Sequence, residues 1–274
     1  VGSEMCIRDS NYTETGTWSE KAIKEARVFG SVHIAGSSVA TAHTTIPKQL
    51  NIDPAGAYLH LTSNETIAGT QWHQFPYESG QPLVADMSSD ILSRVLDFNR
   101  FDLIYAGAQK NIGPAGACLV VVNKNCLGKI KRPLPAFMDY RLHIKEGSML
   151  NTPPVFAVYV ILLTLRWLKK MGGVATIEKQ NDDKASLLYQ TIDALPLFQG
   201  PVAKEDRSKM NVVFVMQDPK LEKEFLQAAE QEGMIGIKGH RSVGGFRISL
   251  YNALPLSSVQ AITSFMRAFA TKKG

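Results

Sequence analysis

Cysteine is scarce in this chain of 274 residues: Cys6, Cys118 and Cys126 are too few for a disulfide framework and lack zinc-ligand spacing. A dominant charge is missing too. The 30 Lys and Arg against 25 Asp and Glu leave +5, with no basic stripe of the kind a nucleic-acid binder needs and only a mild bias toward small anions. Apolar runs are short. The longest, Val155 to Leu165, carries Thr164 and stops at Arg166, well under the ~20 residues of a membrane span. No basic stretch followed by an apolar run opens the sequence, so it reads as cytoplasmic without a signal peptide, and the sequons at Asn11 and Asn64 carry little meaning. Repeats and low-complexity tracts are absent, which with the even composition excludes collagen, coiled coil and disorder. What remains is ordinary for a globular protein: 45% hydrophobic and 20% charged residues, with 21 Gly and 13 Pro. Such a length buries roughly 70–75% of the unfolded surface and suggests about two domains.

Residues 1–10, VGSEMCIRDS, show no periodicity and read as a tail or an artefact rather than part of the fold. From Thr17 a helix is predicted to about Phe29. Strand-like segments follow at Tyr58–Thr62, Leu83–Asp86, Asp102–Tyr105 and Ala117–Val122, separated by turns and helical pieces such as Asp90–Leu96. Short apolar strands interleaved with helices predict an α/β fold with a buried, mainly parallel sheet. The run from Val155 is predicted as a buried helix behind Pro153-Pro154, ending near Gly172-Gly173 with Lys169 and Lys170 at its negative end. Beyond it come a charged amphipathic helix over 174–194, strand Asn211–Met216, helix Pro219–Glu232 with Phe225, Leu226 and Ala229 on its buried face, strand Gly245–Tyr251 and helix Pro255–Lys272. That texture predicts a smaller α+β domain over 177–274 beside a large domain over 11–176.

Chemistry concentrates in three places. In Gly107-Ala-Gln-Lys-Asn-Ile-Gly-Pro-Ala-Gly116, Lys110 stands behind a strand among small residues that let a planar ligand approach the backbone. A partly desolvated lysine there suits a Schiff base, although the same lysine also reads as a surface residue in a turn. Asp86 ends the strand LVAD, where α/β proteins bind ligands beyond the carboxyl ends of their strands, and also reads as a cap for the segment from Ser88. If the ligand is pyridoxal phosphate, this carboxylate keeps the pyridine nitrogen protonated. His240, Arg241 and Arg247 lie in KGHRSVGGFR, where planar guanidinium forks suit phosphate or carboxylate; an ordinary basic hairpin is the alternative. His43, His60, His73 and His143 have no ligand spacing, so no metal site is expected, and Cys118 is expected in the core. GxGxxG in strand–helix context is absent, which argues against a nicotinamide enzyme.

The strings SNETIAGTQ, ADMSSDILSR, GAQKNIGPAG, NTPPVFAVY and KGHRSVGGFR, in that order, resemble the phosphoserine aminotransferase family of fold-type-I pyridoxal-phosphate enzymes, from about residue 12 to the C-terminus. The resemblance implies a large PLP-binding domain, pyridoxal 5'-phosphate as cofactor, and ping-pong amino transfer from glutamate to 3-phosphohydroxypyruvate. The products are O-phosphoserine and 2-oxoglutarate, in serine biosynthesis. It further implies that Lys110 is the Schiff-base lysine and proton carrier, and that Asp86 pairs with the pyridine nitrogen. Thr66 is implied beside the phenolic oxygen, Trp18 on the ring and Gln109 on the phosphate. By themselves Thr66 and Trp18 read as a helix cap and a core plug. Asn151 and Thr152, otherwise an N-cap before Pro153, are implied to reach the phosphate of a neighbouring subunit, hence a homodimer with composite sites. His240 and Arg241 are implied at the substrate phosphate, with Arg247 nearby. Residues 1–10 fall outside the resemblance, and no residue matches the family's opening segment, which supplies part of the phosphate cradle and a substrate-binding arginine. Weak or no activity is therefore expected of this chain. A lyase or desulfurase on the same scaffold, or an inactive chain serving as a binding module, are the alternatives.

Overall fold

The computed structural model describes residues 9–129 and 133–273. Six short runs assemble one sheet: β1 (Asp9–Glu14), β2 (Ser31–Ser37), β3 (Leu59–Thr62), then, after a separate two-stranded hairpin of β4 (Asn64–Glu65) and β5 (Thr70–Gln71), β6 (Leu83–Asp86), β7 (Leu103–Gly107) and β8 (Cys118–Val122). Their order is β2-β1-β3-β6-β7-β8, parallel throughout except where β8 returns antiparallel to β7. Central strands of a parallel sheet are covered on both faces and so read as nearly continuous apolar runs. Leu59, Leu61, Leu83, Ala85 and Ile104 pack into one buried cluster, and Tyr12, Tyr58, Val84 and Leu103 into another with Ile23 of the helix α1 (Thr17–Ala26).

Further along run the helices α2 (Tyr140–Lys145), α3 (Val155–Lys170) and α4 (Gly173–Ala194), then β9 (Phe198–Gln199), β10 (Asn211–Met216), α5 (Glu222–Gln231), β11 (Phe246–Ser249) and α6 (Leu256–Lys273). Here β9 and β11 flank β10, both antiparallel to it. Phe225 of α5 is fully buried, its ring 4.9 Å from that of Phe246 and 5.4 Å from that of Phe198, so truncating it to alanine costs about 3–5 kcal/mol.

Several expectations need correction. Asp9 and Ser10, placed in the tail, open β1, which lies inside the sheet between β2 and β3. Its polar string DSNYTE carries no apolar signal; Asn11 is buried because its amide closes two hydrogen bonds with the backbone of Asp53. The helix from Thr17 stops at Ala26, leaving Phe29 exposed. Asp90–Leu96 forms turns instead of helix, with Leu92 at φ 57°. Helix α3 has its predicted bounds but not its predicted burial: only Ala157 and Leu168 are buried, while Val155, Phe156 and Tyr159 are 69%, 76% and 56% exposed. Cys118 lies exposed on β8. Among the described residues no helix is long and apolar enough to cross a membrane, and no His, Cys, Asp and Glu cluster could hold a metal ion.

Candidate active site

The carboxyl ends of β3, β6 and β7 open on a cavity of about 330 Å³. Its walls bring together Trp18, Thr66, Asp86, Gln109 and Lys110, which span nearly a hundred positions of sequence. Thr62, Asn64, Ser88 and Ser89, to which the sequence assigned no part in a site, complete the lining.

Trp18 is set by the first turn of α1. The backbone N–H groups of Trp18 and Ser19 donate to the Glu65 carboxylate at 3.1 and 2.8 Å, so a buried side chain from β4 caps the positive helix end. Glycine at position 16 is required for this approach, since a Cβ there would lie 2.7 Å from Glu65 Cδ. The indole Nε1 then donates to Thr66 Oγ1 at 2.8 Å, which fixes the ring and leaves the threonine proton free for another acceptor.

Asp86 Oδ1 accepts from the Ser88 amide at 2.9 Å and the Ser88 hydroxyl at 2.6 Å. Tyr105, its register partner on β7, is the next polar neighbour. Burial nevertheless raises the pKa of Asp86 above the usual carboxylate range, although the Ser88 bonds and the Tyr105 hydroxyl pull the other way. Ser88 Oγ also accepts the Gly107 amide at 3.0 Å, tying the end of β6 to the end of β7 where the lysine loop begins. That loop is pinned by Ala108 N–H to Ala117 O and Gly113 N–H to Ala108 O, and by the Asn252 amide donating to Asn111 Oδ1 at 3.0 Å. Lys110 is half-buried, its Nζ 5.3 Å from the centre of the Tyr251 ring. The Gln109 side chain lies close over Gly107, its Oε1 2.5 Å from where a Cβ would stand.

The remaining candidates divide. Arg247, on β11, donates to Thr66 O at 3.2 Å and so touches a lining residue without itself lining the cavity. His240 and Arg241 are exposed on the loop before β11 and do not line the cavity; His240 Nδ1 pairs with Ser242 Oγ at 2.7 Å. Asn151 and Thr152 are also exposed and outside the cavity, and neither side chain caps α3. Cys126 donates to Asp102 and is pushed up to about 11 by burial and that carboxylate; neither it nor Cys118 lines the cavity.

Sequence reasoning missed the buried layer beneath Asp86. His60, given no role by its spacing, is 2% exposed, and burial drives its pKa from 6.5 to about 3. A depressed histidine stays neutral in the fold and takes a proton on unfolding, so its stabilising share is present above pH 6.5 and lost as pH falls from 6.5 toward 3. One proton of difference is worth about 1.4 kcal/mol per pH unit in that window. In urea unfolding at graded pH, a His60→Gln chain should lose stability more slowly than the parent. Parallel losses would mean that the ring protonates inside the fold.

The Aminotransferase class-V family model matches residues 9–262, starting where β1 starts. A curated phosphoserine aminotransferase of Flavobacterium johnsoniae is 54% identical over 261 residues, 95% of this chain and 73% of that protein. The chain belongs to the phosphoserine aminotransferase family. Another family member, from Parabacteroides distasonis, is 51% identical over 98% of this chain and 76% of its own length. Among solved family structures, that of Bacillus circulans subsp. alkalophilus superposes with a TM-score of 0.94 at 45% identity, over 97% of this chain and 75% of that one. The PLP-bound enzyme of Trichomonas vaginalis gives 0.88 at 33% identity, over 97% and 77%. The chain thus spans about three quarters of the length of these family members.

Proposed function

We propose that the cavity is a phosphoserine aminotransferase site, using pyridoxal 5'-phosphate to move an amino group from glutamate to 3-phosphohydroxypyruvate. The observation that carries this reading is the convergence of one amine, one half-buried carboxylate and one indole, from Lys110, Asp86 and Trp18, on a single cavity. The donor set fits the cofactor. Asp86 is a desolvated carboxylate with no ion pair among the described residues, and a protonated pyridine nitrogen is the kind of cation its burial calls for.

When bound, pyridoxal phosphate supplies a conjugated ring that takes up the electron pair released at the substrate carbon. Lys110 would hold the cofactor through its Nζ and, as the free amine, would carry the proton to and from that carbon. Asp86 would hold the ring nitrogen's proton, Trp18 would lie against the ring, Thr66 would donate its free hydroxyl proton to the phenolic oxygen and Gln109 would hold the phosphate. Arg247, held on the Thr66 carbonyl, would supply positive charge for the anionic substrate, with His240 and Arg241 on the neighbouring loop. Neither of the two described cysteines, Cys118 and Cys126, lines the cavity, so they lend no support to sulfur-transfer chemistry.

The reading includes a homodimer with composite sites, in which Asn151 and Thr152 serve the partner's cofactor phosphate. Supporting it are the exposure of both residues and the exposed apolar side chains that follow them on α3, since a contiguous apolar patch of this kind marks a contact surface. It also keeps the cytoplasmic location and the division into 11–176 and 177–274. In favour of that division, one buried cluster falls within residues 35–112 and another within 185–269.

The test is a single-turnover experiment, which reads the chemistry even if steady-state turnover is slow. The chain mixed with pyridoxal phosphate should turn yellow, glutamate should bleach the band, and 3-phosphohydroxypyruvate should restore it faster than the same keto acid without phosphate. A band that glutamate leaves unchanged would exclude the reading.

A further inference from the structure

Behind the cavity, three strands place a row of polar rings under the acid. Tyr12 on β1 and His60 on β3 are direct register partners, stacked with centroids 4.5 Å apart and planes 24° apart. His60 Nε2 lies 3.0 Å from the hydroxyl of Tyr105 on β7, and Tyr105 is the register partner of Asp86 on β6, which places the hydroxyl and the carboxylate as neighbours. We propose that His60 and Tyr105 form a one-way relay of hydrogen-bond donors that positions the Asp86 carboxylate and holds it in its charged form; this rests on the reading of Asp86 as the partner of the cofactor's ring nitrogen.

The direction of the relay follows from donor counting. An ionised carboxylate only accepts, so the single phenol proton of Tyr105 goes to Asp86. The phenol oxygen then accepts, and its partner, His60 Nε2, must carry a hydrogen. Nδ1 is left bare, and in the fold it is a buried nitrogen without a partner. The other tautomer would bury an unpaired N–H at that same site, which is the costlier choice, so the Nε2–H form is favoured. Burial keeps His60 neutral and, together with Asp86, pushes the Tyr105 hydroxyl up, so both groups stay fixed as donors. Tyr105 thereby adds a third donor to the two from Ser88 and opposes the burial that favours the neutral acid. Both residues act through Asp86 and do not touch the cavity, which makes them positioning residues.

The test compares two cofactors: pyridoxal phosphate and its analogue with carbon in place of the ring nitrogen. Tyr105→Phe should weaken binding of pyridoxal phosphate about 10- to 100-fold, as expected for a lost bond to a charged group, and change binding of the analogue less than about 2-fold. With nitrogen-15 in the ring, the bound cofactor's resonance should move from the protonated toward the unprotonated position in the variant. His60→Leu should behave like Tyr105→Phe, whereas His60→Gln, whose amide still donates, should keep most of the affinity. Equal weakening of both cofactors, or an unmoved nitrogen resonance in Tyr105→Phe, would overturn the relay while leaving the site reading intact. A parent chain that takes up neither cofactor would overturn both.

Discussion

Lys110→Ala abolishes the yellow colour that the parent chain takes on with pyridoxal phosphate, and amine transfer falls by roughly 10⁴-fold or more. The size follows from there being no substitute: among the described residues, Lys110 alone lines the cavity with an amine. Losing it removes both the covalent hold on the cofactor and the group that carries the proton. Folding should hardly change. The loop is held by backbone bonds of Ala108 and Gly113 and by the Asn111–Asn252 contact, none of which uses the lysine side chain. A thermal melt within about 0.5 kcal/mol of the parent is expected. Colour retained in the variant would show that the amine comes from elsewhere.

Asp86→Asn separates activity from stability. The amide is nearly isosteric and its oxygen still accepts from Ser88, but the charge is gone, so kcat/KM should fall roughly 10²–10³-fold. The cofactor-free protein should move the other way. Burial raises the pKa of Asp86 in the fold, so its favourable contribution is greatest at low pH and is lost as pH rises through the folded value. At neutral pH the parent bears the cost of that desolvated charge and the variant does not. Melting of the cofactor-free variant at or above the parent's temperature, with crippled turnover, is the expected pair of results. A variant that melts lower and keeps its activity would contradict the role given to the carboxylate.

Local patterns already specify much of this molecule. Strand Leu83–Asp86, helix Val155–Lys170 and strand Asn211–Met216 stand where apolar runs and their stop signals place them, because those signals act over a few residues. The lysine turn and the strand-ending acid were legible for the same reason: both chemistries sit at strand ends, and strand ends show in one dimension.

Burial is a different matter, since a side chain's surroundings come from segments remote in sequence. The polar strand Asp9–Glu14 is internal because β2 and β3 pair on either side of it. The apolar α3 stays exposed because no described segment packs over Val155, Phe156 and Tyr159. Arg247 meets Thr66 across 181 positions while His240 and Arg241, a few residues away in the same string, do not line the cavity. His60 becomes a neutral donor only by being sandwiched between Tyr12 and Tyr105 in the assembled sheet. Residue type and spacing select which groups can do chemistry. Desolvation, hydrogen-bond direction and the meeting of strand ends determine which of them do, and those arise only when distant strands pair.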